Sequence, residues 1–82
     1  MPVIARFYGI VIKMYFREHG VPHFHAIYGE YVGVFDLAAL KMTAGDLPAR
    51  AKRLVLAWAL RYRKELTAMW KKRKYVQLPG LE

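Results

Sequence analysis

Apolar residues recur with period two along IARFYGIVIKMYF, residues 4–16. Tyr8, Ile10, Ile12, Met14 and Phe16 fall on one side of an extended chain, and Phe7, Val11, Lys13 and Tyr15 on the other. β-Branched and aromatic side chains dominate, so the pattern predicts one long strand over 4–16, with Gly9 as a bulge or bend inside it. Gly20 and Pro22 in EHGVP then punctuate the chain as a turn.

Two further runs, 23–28 and 31–37, flank Gly29-Glu30. Glycine at the first central position suits a two-residue type II′ hairpin turn. That register pairs Tyr28 with Tyr31, Ala26 with Gly33, His25 with Val34 and His23 with Asp36. A short edge strand is predicted over 40–44. Asp46 then reads as a helix N-cap and Pro48 as a first-turn residue. From Leu47 to Lys72 the period lengthens to that of a helix, with Leu47, Ala51, Leu54, Val55, Trp58, Tyr62, Leu66 and Met69 on one stripe. Arg50, Arg53, Arg61, Lys64 and Lys71 form a second stripe, within an arc of about 80°. The tail, 73–82, reads as extended and poorly ordered. The expected architecture is a single α+β domain over 1–82: a three- to four-stranded antiparallel sheet with one long C-terminal helix packed on one face.

Charge divides this pattern in two. Residues 1–46 hold four Lys/Arg and four Asp/Glu, whereas residues 47–82 hold ten Lys/Arg against Glu65 and Glu82. The whole formal charge of +8 therefore resides in the helix and tail. Such a concentration suits a polyanion, RNA or DNA, or an acidic protein; a solvated face is the plain alternative. Lys13 on the first strand joins the helix cations as a candidate phosphate contact. No cysteine is present, which excludes disulfides and thiolate metal sites. No apolar run is long enough for a membrane helix, and MPVIARFYG has no signal-peptide pattern, so a cytoplasmic protein without membrane contact is expected.

The candidate chemistry lies in HGVPHFHAIYGEY, residues 19–31, which contains all three histidines. His23 and His25 alternate onto one face, with Cα atoms about 6.6 Å apart. The hairpin register brings Asp36 opposite His23 on that face, and His19 in the preceding loop can approach them. Phe24, Ala26, Tyr28, Tyr31, Phe35 and Leu37 point the other way, toward Trp58 and Tyr62. The histidines thus occupy the face the helix leaves open. Four roles fit: polar residues with Asp36 fixing an imidazole; a metal site of two imidazoles, a carboxylate and His19; phosphodiester chemistry; or a contact surface with Tyr15, Tyr28 or Tyr31. In the third, His25 acts as general acid or base, Asp36 orients His23, and Lys13 or Arg17 steadies a phosphate. The candidate catalytic set is accordingly His25, His23, Asp36 and His19, with no resident metal or cofactor expected.

RFYGIVIKMYF, EHGVPHFHAIYGEYVGVFDL and GDLPARAKRLVLAWALRYRKEL followed by MW together resemble a bacterial family, domain of unknown function 4160. The resemblance spans nearly the whole chain. It rests on Arg6, Tyr8, His19, Pro22, His23, His25, Tyr28, Asp36, Leu47, Pro48 and Trp70. It implies a component of a bacterial two-gene module, toxin–antitoxin-like, with a small cognate protein encoded alongside. KKRK, residues 71–74, is more basic than the family pattern leads one to expect. Charge, histidines and resemblance together point to a toxin-like or regulatory protein that acts on or binds RNA, its enzymatic status open and metal-independent ribonuclease activity among the options. A non-enzymatic nucleic-acid-binding regulator, or an interaction module docking a partner or a second copy on the open sheet face, are the alternatives.

Overall fold

The computed structural model describes residues 3–15 and 20–81. Its elements run β1 (Val3–Phe7), β2 (Ile10–Lys13), β3 (His23–Tyr28), β4 (Tyr31–Asp36), β5 (Lys41–Gly45), α1 (Ala49–Arg61) and α2 (Arg63–Lys72). The five strands form one antiparallel meander in the order β1-β2-β3-β4-β5. The class is α+β as expected, with more strands and a divided helix.

The predicted strand over 4–16 is two strands. Tyr8 and Gly9 both adopt positive φ, 50° and 80°, and close a two-residue hairpin that pairs Phe7 with Ile10. The reversal changes the faces: Phe7 shares the buried side with Ile10 and Ile12, while Tyr8 is exposed. Period-two alternation continues through a two-residue turn, so the apolar pattern alone could not reveal the break. Gly29, φ 60°, turns β3 into β4 with the expected register, from Tyr28 opposite Tyr31 to His23 opposite Asp36.

The edge strand β5 lies at 41–45, after a turn closed by the Leu40 N–H donating to the Asp36 carbonyl at 2.9 Å. Asp46 is not the helix cap; its own N–H is committed to the Val32 carbonyl at 3.0 Å. Leu47 precedes proline and is disfavoured from the helical region, and Pro48 itself is extended, with ψ 148°. The helix therefore starts at Ala49. It is interrupted at Tyr62, φ −110° and ψ 22°, although Tyr62 N–H to Trp58 O and Leu66 N–H to Tyr62 O carry the i to i−4 bonding across the joint. No Gly or Pro marks this position in the sequence.

The core lies between the helices and one face of the sheet. Phe24 and Phe35, direct cross-strand partners, stack at 5.2 Å between centroids, and Trp58 packs edge-on against Phe24 at 6.0 Å and stacks on Phe7 at 5.5 Å. Ala51, Val55, Ala59, Leu66 and Met69 complete the buried helical stripe. The tail departs from the loose extension expected of it. Leu78 N–H donates to the Ile4 carbonyl at 2.8 Å, and the Trp58 indole N–H donates to the Pro79 carbonyl at 2.8 Å. Leu78 and Leu81 pack against the core, so residues 78–81 strap the outer edge of β1 to the helix.

Candidate histidine corner and basic helix face

Strand alternation sorts the uncovered face into three cross-strand rows. Arg6, Val11, Ile27 and Val32 make one; Val3, Lys13, His25, Val34 and Ala44 the next; His23, Asp36 and Lys41 the third. His23, His25 and Asp36 do share this face. Lys13 is the immediate neighbour of His25 and so belongs with the histidines rather than with the helix cations. His19 and Arg17 lie outside the described residues.

At the end where β3 begins, planar side chains pack in series. The Tyr15 ring meets His25 edge-on at 4.6 Å, His25 meets His23 at 5.5 Å, and His23 lies against Trp70 at 5.0 Å. The Arg73 guanidinium covers Trp70 at 4.7 Å from the ring centroid. Trp70 is buried and both imidazoles are half-buried. The series thus ties the histidine strand to the end of α2, a contact between elements nearly fifty residues apart. Trp70 and Arg73 were absent from the predicted site; the sequence signals were Trp70's place among the residues that carry the family resemblance and its position directly ahead of the KKRK run.

The hydrogen bonds assign roles that spacing could not. His23 Nδ1 is 2.8 Å from the Val21 carbonyl. A carbonyl only accepts, so Nδ1 bears the hydrogen in the neutral ring and the lone pair is on Nε2. His25 Nδ1 is shut off from solvent. Asp36 does not take the orienting role expected of it toward His23. Its Oδ1 accepts from the backbone N–H groups of Ala38, at 2.7 Å, and Ala39, at 2.9 Å. A short acidic side chain at the start of a turn finds amides two and three residues ahead before it reaches across the strands. The Arg63 guanidinium donates to the Ala38 carbonyl and braces the same turn from α2. Among the described residues, no group of three or more His, Asp or Glu side chains is placed to hold a metal ion.

The helix cations lie elsewhere. Arg50, Arg53, Arg61, Lys64 and Lys71 are all exposed along α1 and α2, on the far side of the helix layer from the histidine face. Glu65 is the one acidic residue between positions 47 and 81. Arg63, Lys64, Thr67, Ala68, Lys71 and Lys72 line an open hollow of about 450 Å³ on α2. Among the described residues, α2 meets the histidine corner through Trp70 and Arg73 at its end and through Arg63 at the Asp36 turn.

A five-stranded meander backed by a jointed helix, with a histidine–aromatic corner at one end, defines a small α+β domain with two chemically distinct surfaces. The chain belongs to the family described as Domain of unknown function (DUF4160), whose model matches residues 9–71. No curated protein and no solved structure matches the chain significantly. No helix among the described residues is long and apolar enough to cross a membrane.

Proposed function

We propose that this chain is a cytoplasmic, toxin-like or regulatory component of a bacterial two-gene module that binds RNA along its helix and is held in check by a small partner protein. The observation that carries the reading is the exposed row Arg50, Arg53, Arg61, Lys64 and Lys71, which faces away from the core and has Glu65 as its one acidic neighbour in sequence. Side chains that serve no packing role, share one sign and span both helices form a phosphate track.

Five phosphate contacts predict a salt slope of about −3.5 on a single strand, so a fourfold rise in salt weakens binding about a hundredfold. Labelled single-stranded RNA and duplex DNA are titrated at two salt concentrations with the parent and with the double variant Arg61→Glu, Lys64→Glu. The variant is expected to bind far more weakly with a shallower slope. Parent-like binding by the variant overturns the reading.

One observation favours a second reading, metal-free RNA cleavage. The Val21 carbonyl accepts from His23 Nδ1, and the His23 ring packs at 5.5 Å against His25, whose cross-strand neighbour is Lys13. The same incubations test it: cleavage lost in both His23→Ala and His25→Ala, with binding retained, assigns it. Intact RNA under the parent protein leaves binding alone.

A further inference from the structure

The sheet face that the helix leaves open has a composition the RNA reading does not use. Val11, Ile27 and Val32 are consecutive members of one cross-strand row, and Val34 stands beside Ile27 and Val32 in the next. None of the four joins the core cluster, and Val32 is 44% exposed. Aliphatic side chains gathered outside the core, in register across three strands, are a contiguous patch rather than scattered surface residues.

The border of the patch carries mainly positive charge. Arg6 stands at the β1 end of the aliphatic row, Lys13 lies between Val3 and His25 in the next, and Lys41 closes the third. The one carboxylate in these rows, Asp36, turns its Oδ1 to the amides of Ala38 and Ala39 and stands in the row farthest from the aliphatic one. Glu30 is at the tip of the β3–β4 turn, outside the rows, and Asp46, whose N–H donates to the Val32 carbonyl, sets a single exposed carboxylate at the far end of the aliphatic row. A second copy of the chain is a poor cover, because pairing would bring together two molecules each of formal charge +8. Nucleic acid is a poor cover as well, because an aliphatic row offers phosphates nothing.

We infer that the open face formed by Val11, Ile27, Val32 and Val34, bordered by Arg6, Lys13 and Lys41, docks an acidic partner protein that presents aliphatic side chains flanked by carboxylates. This deepens the partner half of the function proposed above and is independent of the RNA half. The patch and the cationic helix row lie on opposite sides of the sheet, so the partner and RNA are held at once rather than in direct exchange. Control by such a partner then acts at the histidine corner, which shares its face, and not by competition for phosphates.

The test uses two synthetic peptides, one alternating Val with Glu and one alternating Val with Lys, titrated into the ¹⁵N-labelled full chain. The Glu peptide is expected to shift the amides of Val11, Ile27, Val32 and Val34, and the Lys peptide is not. Val32→Asp, at an exposed position, should keep the parent's circular dichroism and RNA affinity while weakening the Glu peptide by more than about tenfold. Lys13→Glu should move the preference toward the Lys peptide. Shifts confined to α1 and α2, or no shifts at all, overturn the inference. So does a parent that sediments as a dimer which Val32→Asp splits, since the cover is then a second copy. Loss of RNA binding in Arg61→Glu, Lys64→Glu with the peptide response intact separates failure of one reading from failure of the other.

Discussion

Trp58 and Gly80 together decide whether the tail is part of the folded domain. Trp58 has no solvent exposure and donates its indole hydrogen bond to Pro79. A Cβ added at Gly80 would lie 2.7 Å from the Arg6 carbonyl oxygen and 2.8 Å from Phe7 Cβ, both closer than a backbone-flanked position tolerates. Gly80→Ala therefore forces the strap off β1. Its cost is capped by what docking contributes, about 1 kcal/mol each from the half-buried Leu78 and Leu81, or about 2 kcal/mol in all. Trp58→Phe loses the indole hydrogen bond, about 1 kcal/mol, plus about 1 kcal/mol for the smaller ring. For 82 residues a total stability of about 4–12 kcal/mol is expected, so either loss is readily measured. Once the strap is displaced, the indole has no Pro79 partner to lose, so the two effects cannot add. The double variant should be about 1 kcal/mol more stable than the sum of the single losses predicts. Urea unfolding followed by circular dichroism, with Trp70 fluorescence as a second probe, resolves this as about 1 M in midpoint at a slope of about 1 kcal/mol per M. Additivity within about 0.5 kcal/mol would refute the coupling and with it the docked tail.

Two other substitutions test local structure. Asp36→Ala should destabilise by about 1–2 kcal/mol through loss of the two turn amides, with Asp36→Asn milder because it keeps an acceptor. In both variants the ¹⁵N signature of His23 should retain the Nδ1–H tautomer; a switch to Nε2–H would mean that Asp36, not Val21, orients the ring. Tyr8→Asn should stabilise by about 0.5–1 kcal/mol, because asparagine adopts the positive φ of this turn with less strain than a bulky aromatic. A lower melting temperature in that variant would show that the Tyr8 ring contributes more than its strained backbone costs.

Much of the architecture was legible in the sequence because it rests on periodicity and on one glycine. The Gly29-Glu30 turn fixed a register that places His25, His23 and Asp36 on one face and Phe24 and Phe35 on the other, and a slip of one residue would have buried the polar set. The apolar stripe through Val55, Trp58 and Leu66 likewise announced which side of the helix meets the sheet. The Tyr8–Gly9 turn was hidden, because tyrosine is a poor signal for a left-handed position and the alternation of apolar residues passes through it unbroken. The strap was hidden for a different reason. QLPGL, residues 77–81, has little propensity of its own, and its order derives from a carbonyl that meets Trp58, an amide that meets Ile4 and a glycine small enough to lie on Phe7. Asp36 and Trp70 make the same point at the histidine corner. Sequence put Asp36 opposite His23, but the nearer turn amides took its carboxylate. Trp70 reached His23 only because α2, continued past the Tyr62 joint, returns to the start of β3. Residue spacing sets the face on which a side chain stands; the competition among nearby donors and the packing of distant elements set what it touches.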